Sequence, residues 1–162
     1  MTNSNLLLES NHFPVMLDEV INICSPEEGG LYIDCTFGGG GYSKELLNFS
    51  KTQVIAFDRD KFILEIADEL KGKYPERFSF FQKKFSEIDT VIKKKSVDGV
   101  IFDLGLSSIQ LNNLKRGFSF KSKDKLDMSM GLTSTSAEEV VNNCSEQKIK
   151  LILKILGEEK DA

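Results

Sequence analysis

Histidine and cysteine are scarce in this chain of 162 residues, which holds one of the first and three of the second. Cys24, Cys35 and Cys144 form no C-x-x-C pair and are odd in number, and His12 has no companion at ligand spacing. Neither a disulfide framework nor a structural zinc site is expected. Long apolar runs are missing as well. The opening "MTNSNLLLES" carries three leucines in succession and no basic stretch, and nothing later approaches the roughly eighteen apolar residues of a membrane span. The expectation is a cytoplasmic protein with no membrane partner. Positive charge is not in excess either: a net charge of −4 argues against a globally basic nucleic-acid binder and leaves only local clusters to inspect. Internal repeats and low-complexity tracts are absent from the sequence.

What is present suits a globular fold, with 40% hydrophobic and 28% charged residues. Four β-rich runs recur: "LYIDC" from Leu31 to Cys35, "QVIAF" from Gln53 to Phe57, "FSFFQ" from Phe78 to Gln82 and "VDGVIFDL" from Val97 to Leu104. Between the second and third, Phe62, Ile63, Ile66, Ala67 and Leu70 keep helical spacing. An opening helix from about Val15 to Cys24 closes before Pro26. Strands alternating with helices imply parallel pairing, so the fold class is α/β, a doubly wound sheet. After Asp103 the period is lost in a long loop rich in Ser, Asn, Lys and Gly. Helical spacing resumes near Ala137, with Ser136 as N-cap and Glu138 and Glu139 in the first turn, and runs in two pieces to about Leu156.

The stretch "DCTFGGGGYS", Asp34 to Ser43, joins the first strand to the next helix. Ligands of open parallel sheets sit at the carboxyl ends of the strands, where strand order reverses, and a second acid, Asp58, closes strand two in "AFDRD" where a carboxylate bonds ribose hydroxyls. An N-cap role for Asp58 is the alternative. Asp34 reads either as a carboxylate that only braces the loop or as one that supports the site from behind its contacting residues. The glycines do not follow G-x-G-x-x-G, although Gly38, Gly40 and Gly41 could present amides to a carboxylate or phosphate. These residues alone leave S-adenosylmethionine and a dinucleotide both open.

The segments "HFPVMLDEV", "YIDCTFGGGGYS", "AFDRD", "DGVIFDLGLSSIQL", "RGFSF" and "LDMSM", in this order, resemble the N-terminal half of the bacterial 16S small-subunit ribosomal RNA cytosine-N4 methyltransferase family, known as RsmH or MraW. The likeness runs from His12 to about Lys160. It implies a Rossmann-like class I methyltransferase sheet using S-adenosyl-L-methionine, interrupted by a helical substrate-recognition insertion, and methylation of a cytidine N4 amine in the decoding region of the small ribosomal subunit. By position it implies cofactor contacts at Gly40, Gly41, Tyr42, Asp58, Phe85, Asp103 and Gln110. Tyr42, Ile109 and Ser129 stand where the family commonly has histidine, proline and arginine. The resemblance divides the chain into a methyltransferase part, residues 1–104, and an active-site loop with the start of the insertion, residues 105–162. On this view the chain is truncated. Strand four would be an exposed edge, and a separately encoded C-terminal half, a homo-oligomer or an inactive remnant all stay open.

Asp103 is the candidate catalytic carboxylate, either accepting from the target amine or serving the cofactor. Ser107 and Ser108 are read as loop caps. Lys115, Arg116, Lys121, Lys123 and Lys125 interleave with Phe118 and Phe120 against one acid, Asp124. Cations for phosphates and rings for stacking are what single-stranded RNA contact requires, so Arg116, Phe118, Phe120, Lys121, Lys123 and Lys125 are candidate RNA residues. Lys93 to Lys95 read as a solvated helix end and His12 as structural.

Overall fold

The computed structural model describes residues 13–93, 97–132 and 135–162. His12, Lys94 and Lys95 lie outside them. Two compact units emerge, the first running to Ile109 and the second from Gln110 to Ala162.

In the first unit, β1 (Gly30–Asp34), β2 (Thr52–Asp58), β3 (Phe78–Gln82) and β4 (Gly99–Ile101) run parallel in the order β3-β2-β1-β4. The chain winds outward from β1 through β2 to β3 and returns to pair β4 on the other side of β1. Strand order therefore reverses at β1, and open parallel sheets bind ligands at the carboxyl end of such a strand. Parallel strands covered on both faces read as nearly continuous apolar runs. Tyr32, Val54, Ala56 and Phe78 supply one core, with Leu46, Ile66, Ala67 and Leu70 packed there. Ile33, Cys35 and Phe57 supply the other, against Phe81, Ile88, Val91 and Ile92.

The strand expected from Val97 to Leu104 is cut to three residues in β4. At its start Asp98 turns its side chain and amide to Leu31, accepting from the Leu31 amide at 2.8 Å and donating to the Leu31 carbonyl at 2.8 Å. At its end the Asp103 amide donates to the Thr36 hydroxyl at 2.8 Å instead of to a strand. Among the described residues β4 pairs only with β1, and Val100 and Phe102 are exposed.

The opening helix α1 (Leu17–Cys24) starts two residues later than its spacing predicts, because Met16 takes a left-handed φ of 53°. Helix α2 (Gly41–Leu47) leaves the glycines directly. Ahead of α3 (Leu64–Lys73) a 3₁₀ turn over Lys61–Ile63 breaks the expected stripe, so Ile63, Ile66, Ala67 and Leu70 are buried while Phe62 is exposed. A five-residue helix, α4 (Ser108–Asn112), appears inside the stretch read as a loop without period. It is too short for periodicity to reveal.

In the second unit, α5 (Ala137–Asn143) and α6 (Glu146–Leu156) form where expected. The Ser136 hydroxyl accepts from the Glu139 amide at 3.1 Å, and the Glu139 carboxylate accepts from the Ser136 amide at 2.8 Å. This reciprocal capping box satisfies two orphan donors of the first turn. Among the described residues no helix is long and apolar enough to cross a membrane.

Candidate cofactor site at the strand ends

Pairing register puts Asp34 opposite Ala56 of β2 and Ile101 of β4. Asp58 ends β2 on one side of β1 and Asp103 follows β4 on the other, at the point where strand order reverses. The loop is stitched to both neighbours. On the β2 side the Phe37 amide donates to the Phe57 carbonyl at 3.0 Å and the Gly38 amide to the Asp58 carboxylate at 2.9 Å. On the β4 side the Cys35 amide donates to the Ile101 carbonyl at 2.9 Å, and Thr36 receives the Asp103 amide.

Asp58 does not cap the following helix. That task falls to Asp60, whose carboxylate accepts from the Phe62 amide at 3.1 Å. Asp58 accepts instead from Gly38 and, at 2.9 Å, from the Asp60 amide. Burial raises its pKa, opposed by the amides of Asp60 and Gly38. Asp34 is fully buried and accepts from the Thr36 amide at 3.2 Å and the Ser43 hydroxyl at 2.7 Å. Burial pushes its pKa up to about 6, the Ser43 and Thr36 bonds pull it down, and the Asp58 and Asp103 charges add to the rise.

The four glycines turn out to serve different needs. Gly40 has φ 74°, and a Cβ there would lie 2.8 Å from the Phe37 ring. At Gly41 a Cβ would fall 2.1 Å from Pro14. Only Gly39 faces open space. Part of the run is therefore dictated by the chain's own packing. The Gly40 amide is also spoken for, donating to the Phe37 carbonyl at 2.6 Å. The amides of Gly39 and Gly41 have no acceptor among the described residues.

Tyr42 is buried, donating its hydroxyl to the Val15 carbonyl at 2.6 Å, which ties the segment before α1 to the glycine loop. Burial first, then the charges of Asp103 and Asp34, raise its phenol pKa. Phe85, which follows β3, meets Phe102, which follows β4, edge to face at 5.4 Å, and both rings stay partly open to solvent. Phe102 escaped the sequence reading, because a phenylalanine ending an apolar run reads as core. Gln110, in α4, is buried.

In the second unit the basic segment separates into two groups. Arg116 is buried, donates to the Ser129 carbonyl at 2.7 Å and lies 5.1 Å over the Phe118 ring. These contacts hold Arg116 within its own loop, while Phe118 stays half-buried. Phe120, Lys121, Lys123 and Lys125 are exposed.

The chain matches the MraW methylase family over residues 9–162. A ribosomal RNA small subunit methyltransferase H from Zymomonas mobilis is 44% identical over 165 residues, covering 100% of this chain and 49% of that protein. Its counterpart from Rickettsia akari is 45% identical over 148 residues, covering 91% and 48%. The chain thus spans about half the length of the curated relatives it matches. Among solved structures, the C-terminal domain of precorrin-6Y C5,15-methyltransferase from Rhodobacter capsulatus superposes with a TM-score of 0.51 at 16% identity, covering 67% of this chain and 59% of that one. That likeness is one of fold, a Rossmann-like methyltransferase sheet.

Proposed function

The chain belongs to the MraW methylase family, and from that premise we propose that its strand ends bind S-adenosyl-L-methionine for methylation of the N4 amine of a cytidine in the decoding region of small-subunit ribosomal RNA. The observation that carries this reading is the pair of acids tied to the loop after β1, Asp58 through its carboxylate to the Gly38 amide and Asp103 through its own amide to the Thr36 hydroxyl. The residues fit the cofactor. The Asp58 carboxylate has lone pairs beyond those that its backbone amide donors take and can accept from ribose hydroxyls. The Gly39 and Gly41 amides suit a carboxylate. Phe85 and Phe102 offer apolar ring surface to an adenine.

When bound, the cofactor supplies an electrophilic methyl group on a sulfonium that departs as a neutral thioether. The cytosine amine is a weak nucleophile because its lone pair is delocalised into the ring. Asp103, at the carboxyl end of β4, accepts a hydrogen bond from that amine, which orients its lone pair and stabilises the positive charge growing on nitrogen. The target base must leave its stack to reach such a site. Phe120 provides a ring for stacking, and Lys121, Lys123 and Lys125 provide cations for phosphates. Work on ribosomal subunits would place the protein in the cytoplasm.

Neutralising Lys121, Lys123 and Lys125 together is expected to weaken binding to a single-stranded ribosomal RNA fragment. The slope of log affinity against log salt should fall by about 2, since fewer counterions are released. Phe120→Ala should weaken binding by about 1 to 3 kcal/mol, while Phe118→Ala should act on stability. Fluorescence anisotropy across a salt series measures both effects. Unchanged RNA affinity in the triple variant and in Phe120→Ala would return the segment to a solvated loop.

A second reading rests on the outer edge of β4, which pairs with no strand among the described residues and where Val100 and Phe102 are exposed. On it, the chain binds cofactor by itself but transfers methyl groups only when a polypeptide matching the other half of its relatives is supplied. Methyl transfer to small subunits lacking the modification, with and without that polypeptide, tests both readings. Little turnover alone and robust turnover with the supplement is the expected result. Turnover by the chain alone overturns the second reading, and none in either arm overturns the first.

A further inference from the structure

Asp34 ends β1 between β2 and β4, is fully buried, and feels the charges of Asp58 and Asp103. Its two bonds come from neutral donors, the Thr36 amide and the Ser43 hydroxyl, and no cation bonds to it among the described residues. Bracing the loop does not require a charge. An asparagine could accept from the amide and donate to the hydroxyl in the same place. A buried carboxylate without a cationic partner destabilises a fold, so a role for its charge is to be sought elsewhere.

Resting on the cofactor site proposed above, we infer that Asp34 is the determinant of charge selectivity in this site: its buried carboxylate favours the cationic methyl donor over the neutral thioether product of the same shape. The field of a charge in a region of low dielectric reaches across several ångströms. Asp34 is shielded from water, whereas Asp58 is half-buried and Asp103 exposed. The other groups bearing on it are titratable too. Asp58 and Asp103 act on it through space, and the Cys35 thiol and Tyr42 phenol are raised partly by it. A site that holds the cation more tightly than the thioether loads the donor and sheds the product, which shortens inhibition by product.

The test compares calorimetric affinities of the intact chain and of Asp34→Asn for S-adenosylmethionine and S-adenosylhomocysteine. The ratio of the two affinities is expected to shift toward the neutral product by on the order of tenfold in the variant. Thr36→Val removes the acceptor for the Asp103 amide but keeps the charge, and should weaken both ligands by the same factor. Equal losses for both ligands in Asp34→Asn, or a ratio moved as far by Thr36→Val, would overturn the inference and leave the cofactor site standing. Failure of the wild-type chain to bind either ligand would overturn both. If Asp34→Asn does not fold, the wild-type chain decides with 5′-methylthioadenosine and its S-methyl sulfonium, neither of which titrates between pH 5 and pH 8. Their affinity ratio should fall toward the neutral ligand on acidification as Asp34 takes up a proton near its pKa of about 6. A constant ratio would overturn the inference.

Discussion

Asp58→Ala is expected to cost about 1.5 to 3 kcal/mol of S-adenosylhomocysteine binding, a loss of tenfold to more than a hundredfold, because it removes two things at once. The first is a charged acceptor for ribose hydroxyls. The second is the anchor of the glycine loop, since the Gly38 amide donates to this carboxylate and the neighbouring Asp60 amide donates to its other oxygen. Gly38 itself has φ 49°, a left-handed conformation that glycine tolerates and that the anchor helps hold. Asp58→Asn keeps an oxygen for Gly38 and loses the charge, so its loss should be smaller. Calorimetric titration of the three proteins measures the series. Equal affinity in Asp58→Ala and wild type would remove this residue from the site.

Asp34→Asn is expected to make the protein more stable at neutral pH, by up to about 3 kcal/mol, while impairing its ligand selectivity. The group's pKa rises from 3.8 to about 6 on folding, and each unit is worth about 1.4 kcal/mol. A raised pKa means that the folded state holds the proton more tightly than the unfolded one. The contribution is fully present below about pH 4 and is lost as pH rises through about 6, so wild-type stability falls across that window. Asp58 is raised in the same direction and is coupled to Asp34 through space, so the difference between the two proteins reports Asp34 together with that coupling. Urea denaturation at several pH values should show the two curves diverging from pH 4 to pH 6 and running parallel above it. A variant less stable than wild type at pH 7.5 would mean that the ionised carboxylate earns its place structurally.

Residues at the sheet centre were legible from sequence because both faces of β1 and β2 are covered, which forces the uninterrupted apolar runs that announce parallel strands. The same logic failed at β4. Its apolar run continues to Phe102 and Leu104, but backbone pairing stops where Asp103 gives its amide to a side chain, and such bonds leave no trace in periodicity. Asp58 was legible as the acid closing a strand, and its competing role as a cap was resolved only by geometry, with Asp60 two residues on taking the cap. The glycine run showed that something comes close. It could not show that Phe37 and Pro14 would share that role with a ligand. Charge spacing likewise marked the segment around Arg116 without revealing that this guanidinium bonds the Ser129 carbonyl and rests on Phe118, a pairing between residues of one folded loop.

The central claim is that the carboxyl ends of β1, β2 and β4 form an S-adenosylmethionine site. Calorimetric titration of the wild-type chain with S-adenosylhomocysteine and, separately, with NAD tests it most directly. One equivalent of S-adenosylhomocysteine should bind, with NAD far weaker, since the loop lacks the G-x-G-x-x-G spacing that brings a helix terminus to a pyrophosphate. NAD binding more tightly than S-adenosylhomocysteine, or no heat from S-adenosylhomocysteine at all, would contradict it.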